Sequence, residues 1–79
     1  MKTENINKIA VSLDLLSKVL YCPNTSLLAF YISLPVNRFI FTDSAIEYIV
    51  FSIVRNEKTL NEYKTDIIKF INLELSFNL

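Results

Sequence analysis

Apolar residues recur at helical spacing along nearly the whole chain. Ile6, Ile9, Leu13, Leu16 and Leu20 follow one another at intervals of three, four, three and four, which is one face of an amphipathic helix. Ala10, Leu15 and Val19 flank that stripe, while Asn7, Lys8, Ser12, Asp14 and Lys18 fall on other faces. Glu4 with Lys8 and Asp14 with Lys18 stand in the acid-first i,i+4 order that adds a few tenths of a kcal/mol per pair. Pro23 stops the helix, because the residue before a proline is pushed out of the α region. The pattern predicts a first helix over 3–21.

Asn24, Thr25 and Ser26 can each cap a second helix, Leu27 to Leu34, halted by Pro35. Here a strand reading competes, since residues 28–34 and 38–42 are rich in aromatic and β-branched side chains and Pro35-Val36-Asn37 could turn between them. The absence of glycine weighs against a tight hairpin, whose usual turns need positive φ, although Asn37 could supply it. Helix is the preferred reading, near 25–34.

Ser44 to Arg55 is apolar on almost every side: Ala45, Ile46, Tyr48, Ile49, Val50, Phe51, Ile53 and Val54 are interrupted only by Glu47 and Ser52. A helix of this kind has to be covered. Ser44 with Glu47 fits a capping box that would start it, and Asn56 is suited to the left-handed stop that would end it. A second capping box, Thr59 with Glu62, opens a last helix over 59–75, with Leu60, Tyr63, Ile67, Phe70 and Ile71 on one face. The three-residue link Asn56–Lys58 is short enough to set the last two helices side by side and antiparallel. The expectation is a single all-α domain over 1–79, four helices packed around the apolar third. The alternative is α+β, with a β-hairpin at about 28–42.

Composition adds an argument about association. The chain has 79 residues, 52% of them hydrophobic, and one cysteine, Cys22, so no internal disulfide can form. A core this small is marginal without staples, and the apolar surplus points to a homodimer or a stable protein partner. Net charge is zero, which gives no basic field to attract nucleic acid. Between Leu20 and Val54 only Arg38, Asp43 and Glu47 are charged; the ends carry the rest. The N-terminus lacks a continuous apolar signal segment, and the uncharged window 19–37 is broken by Pro23, polar residues and Pro35 well short of the ~20 residues of a membrane span. A cytoplasmic protein without a membrane span is expected, with Cys22 a buried thiol. The isoleucine- and asparagine-rich, glycine-free composition is what AT-biased coding produces, as in phages and mobile elements.

Catalytic constellations are missing. With no histidine and no glycine, triads, His-ligated metals, P-loops and dinucleotide fingerprints are ruled out. No cofactor, metal or small-molecule substrate is implied, and the expectation is a protein that is not an enzyme. Candidate partner-binding residues are Arg38, Phe39 and Phe41 in the loop 35–42, where aromatic anchors beside an arginine have the composition of an interaction hot spot. Tyr48 and Phe51 join them, since two amphipathic neighbours cannot enclose the third helix. The functional expectation is a non-catalytic interaction module, such as a small regulator, an inhibitor or an accessory subunit. The alternative is a small helical DNA-binding regulator, which would need basic and amide side chains that the third helix lacks.

Overall fold

The structure is a computed structural model that describes the backbone of residues 3–78 and the side chains of residues 7–75. The helices are α1 (Thr3–Leu20), α2 (Thr25–Ser33), α3 (Asp43–Arg55) and α4 (Leu60–Asn78), with a 3-10 helix over Pro35–Phe39 between α2 and α3. The chain is all-α, and the β-hairpin alternative is not supported: among the described residues there is no strand. Pro35, instead of turning between strands, occupies the first turn of the 3-10 helix, where its missing N–H removes no hydrogen bond.

The helix ends show local chemistry at work. Asn24 caps α2, its side-chain oxygen accepting from the Leu27 amide at 2.8 Å. Thr59 and Glu62 form the expected capping box: the Thr59 hydroxyl accepts from the Glu62 amide at 3.3 Å, and the Glu62 carboxylate accepts from the Thr59 amide at 3.4 Å. Asn56 closes α3 at φ 57°, ψ 41°, the left-handed region that asparagine tolerates best after glycine. One cap is placed differently from expectation. α3 starts at Asp43 with Thr42 as its N-cap, the hydroxyl accepting from the Ala45 amide at 3.2 Å. Ser44 therefore lies inside the first turn, and the Ser44–Glu47 capping box does not form. Threonine and serine are near-equivalent caps, and the preceding turn delivers Thr42 in extended conformation.

The buried face of α1 differs from the one its leucine spacing predicts. The fully buried positions are Ser12, Leu15 and Val19, whereas Leu13 and Leu20 are 55% and 52% exposed. The buried stripe is thus the expected one moved one residue toward the N-terminus, about 100° around the helix. Leu16 and Ile9 lie at its edge, half-buried. Ser12 can occupy the centre because its hydroxyl donates to the Lys8 carbonyl at 2.8 Å, which leaves no unpaired polar group. Asp14 and Lys18 pair as expected, at 3.0 Å. The side chains of Glu4 and Ile6, which the pattern places in the first helix, lie outside the described residues.

The close helix pairs are α1 with α4 and α2 with α3. Lys8 near the start of α1 meets Glu74 near the end of α4 at 3.3 Å, and Lys64 near the start of α4 donates to the Leu20 carbonyl at 3.4 Å. Those two links make α1 and α4 antiparallel. The expected side-by-side packing of α3 and α4 is not found, as their backbones do not run close together. They meet at the linker end through Tyr63, whose hydroxyl donates to the Ser52 carbonyl and accepts from the Lys58 amide at 3.1 Å. One core cluster collects Leu15 and Val19 from α1, Leu28 and Ile32 from α2, Ile46, Ile49 and Ile53 from α3, and Tyr63, Ile67 and Ile71 from α4. Cys22 is buried within it, its thiol donating to the Asn24 carbonyl at 3.1 Å.

Candidate functional site

The segment between α2 and α3 separates the three loop candidates. Asn37 is buried, its side-chain amide donating to the Tyr31 carbonyl and its own carbonyl accepting from the amides of Ile40 and Phe41 at 3.1 and 3.4 Å. This anchored turn sends Ile40 and Phe41 inward. Phe41 is 5% exposed and meets Phe70 edge-on with ring centroids 6.1 Å apart. It is a core residue, which corrects its assignment to an exposed binding loop: the ring finds an aromatic partner on α4 that local sequence could not reveal. Phe39 points the other way, 71% exposed. Arg38 is exposed and pairs with Asp43 at the start of α3, at 3.4 Å; such a solvated pair stabilises little.

α3 presents two faces. Ile46, Ile49, Ser52 and Ile53 are buried, and the opposite face carries Tyr48, Phe51 and Val54, which are 61%, 58% and 71% exposed. Ser44, Glu47, Tyr48 and Phe51 line a shallow open groove. The Arg55 guanidinium lies over the Phe51 ring at 4.0 Å from its centroid, a cation–π contact, and reaches Glu57 at 3.8 Å. Glu47 is exposed and has no hydrogen-bond or ion-pair partner among the described residues. Arg38 and Phe39 do not line this groove, so the structure brings together Tyr48 and Phe51 but not the loop candidates.

A cleft of about 20 Å³ lies between α3 and α4, lined in part by Tyr48, Lys58, Asp66 and Phe70. Lys58 and Asp66 form a charge-assisted hydrogen bond across its rim. That bond, opposed by some desolvation, holds the Lys58 ammonium above its ordinary pKa of 10.5, and the charge of Asp66 adds to the effect. Farther along α4, Phe70 and Leu73 flank a second shallow depression with Asp66 and Lys69. The apolar surface therefore continues from Phe51 through Tyr48 to Phe70 and Leu73.

Sequence reasoning misses Val54, Phe70 and Leu73 as surface candidates. Val54 is recoverable, since it shares the Phe51 side of the helix at 100° per residue. Phe70 belongs to the expected buried stripe of α4, yet its ring also lines the shallow surface depression with Asp66, Lys69 and Leu73. Among the described residues no group of three or more His, Cys, Asp and Glu could hold a metal ion, and no helix is long and apolar enough to cross a membrane. The α3 face offers apolar and aromatic area edged by Glu47 and Arg55, and farther along Asp66 and Lys69 border Phe70 and Leu73. No protein-family model, curated protein or solved structure matches the chain.

Proposed function

We propose that this chain is a non-catalytic protein-interaction module that acts in the cytoplasm as a small regulator, inhibitor or accessory subunit, and that it binds a protein through the exposed face of α3. The observation that carries this reading is the exposure of Tyr48 and Phe51 side by side on a rigid helix with Arg55 against the ring. Tyrosine and arginine are the residue types that dominate binding energy in protein interfaces, and a helix holds such anchors at little entropic cost. The charged groups of α4 and of the link before it support a protein partner over nucleic acid. Lys58 is engaged by Asp66, and Lys64 donates to the Leu20 carbonyl, so few cations are free to neutralise phosphates.

The test compares wild type with Phe51→Glu after crosslinking in the native cells. The exposed position predicts an unchanged helical circular dichroism spectrum and an unfolding free energy within ~0.5 kcal/mol of wild type. The protein crosslinked to wild type should be lost from the variant. Equal recovery of crosslinked protein by both would overturn the assignment of the α3 face.

A further inference from the structure

We infer that the partner on the α3 face is a second copy of this chain, docked antiparallel about a two-fold axis at Phe51 so that Glu47 of each copy meets Arg55 of the other. The inference rests on the interaction reading above and names its partner. Glu47, Phe51 and Arg55 lie four residues apart and form a single i±4 row, all three exposed. Packing one i±4 row against another is the commonest helix crossing, near −50°. In a two-fold pair centred on Phe51 the row runs against itself reversed. The two phenylalanines then meet at the centre, and acid faces base at each end.

Charge and chemistry select this occupant over an unrelated protein. Glu47 has no ionic partner among the described residues, while Arg55 has only the Phe51 ring and a loose 3.8 Å approach to Glu57. One free acid and one weakly held base, spaced equally about an exposed aromatic ring, make a surface complementary to its own copy, as an isologous interface requires. Zero net charge adds no long-range repulsion between copies. The size of the patch sets the expected strength. Tyr48 and Phe51 of both copies, 61% and 58% exposed, would remove on the order of 500 Å² of ring surface. Stable interfaces bury about 1,200–2,000 Å² in total, so the helix pair alone forms a weak, concentration-dependent dimer.

Sedimentation over a range of concentrations, with native mass spectrometry on mixtures, tests the geometry. Wild type should pass from monomer to dimer in that range. Glu47→Arg brings two bases together at both ends of the pair, and Arg55→Glu brings two acids together there; each should weaken the dimer about tenfold or more. The double swap should recover most of the loss. An equimolar mixture of the two single variants should form the mixed dimer in preference to either homodimer. All positions are exposed, and circular dichroism verifies that each variant folds.

A wild type that stays monomeric at about 100 μM overturns the inference, as does a dimer indifferent to both single swaps or a double swap as weak as the singles. The interaction reading fails separately. A monomer that still crosslinks to another protein through Phe51 removes only the two-fold pairing, whereas a monomer that crosslinks to nothing removes both.

Discussion

The seam between α1 and α4 and the seam between α3 and α4 differ in how closely the two backbones approach: the first pair packs along its length and the second does not. α1 and α4 lie far apart in sequence and pack antiparallel, tied at one end by Lys8 with Glu74 and at the other by Lys64 with the Leu20 carbonyl. α3 and α4 are neighbours through a short turn but touch mainly near that turn, where Tyr63 is fixed between Ser52 and Lys58. A short connection therefore limits where two helices meet without deciding whether their faces close. Closure went to the pair whose small and branched residues, Ser12, Leu15, Val19, Ile67 and Ile71, could be buried together. The bulky Tyr48 and Phe51 remained outside.

The largest effect is expected in the closed seam. Ile67→Ala, at a position with no exposed surface, should cost about 3 kcal/mol in urea unfolding through lost burial and the cavity left behind. Leu15→Ala should cost a similar amount, while Leu13→Ala, one face away and 55% exposed, should stay within ~0.5 kcal/mol of wild type. Equal costs at Leu13 and Leu15 would mean that the buried face of α1 is placed wrongly.

A smaller effect is expected at the shared hinge. Tyr63→Phe removes the hydroxyl that joins the Ser52 carbonyl to the Lys58 amide and should destabilise the fold by about 1–2 kcal/mol. No change in the denaturant midpoint would show that this bond does not hold α3 to α4.

The caps come next. Thr42→Ala and Thr59→Ala should each cost about 1 kcal/mol, whereas Ser44→Ala, inside the first turn of α3, should cost a few tenths at most. The reverse order at Thr42 and Ser44 would restore the start of α3 expected from the Ser44–Glu47 pattern.

The smallest effect is the pH dependence of the open seam. Asp66 raises the Lys58 pKa above 10.5, so folding favours the protonated lysine. The stabilisation is fully present below about 10.5, where the unfolded lysine also stays protonated, and it is lost as pH rises through the higher folded value. The denaturant midpoints of wild type and Lys58→Met should therefore differ slightly at pH 9 and converge in strong alkali. A gap that stays constant would remove this ion pair from the account of the cleft.

Much of the fold is legible in local sequence, because helices are specified by patterns within a few turns of chain. The stop at Pro23, the Asn24 cap, the Thr59–Glu62 box and the Asn56 terminus all rely on groups that meet within one turn. The α4 stripe is legible for the same reason. The candidate site is only half legible. The excess apolar surface of α3 is a property of its own sequence, and Tyr48 and Phe51 are exposed as that excess implies. Arg38, Phe39 and Phe41 cannot be sorted the same way, since their directions depend on Asn37 reaching the Tyr31 carbonyl and on Phe70 lying within reach of Phe41.

Local sequence thus settles where the helices lie and that α3 carries more apolar surface than its neighbours can cover. Periodicity and capping are short-range, and they survive whatever the helices later pack against. Tertiary packing selects which stripe of α1 is buried and which pair of helices closes. It also selects which side of α3 faces solvent. Those choices turn on the fit of side chains brought together from distant parts of the chain, where a buried serine with a satisfied hydroxyl can displace a leucine by one residue. The row Glu47, Phe51, Arg55 is written in the sequence, but it becomes a surface only because α2 and the core take the opposite side of α3.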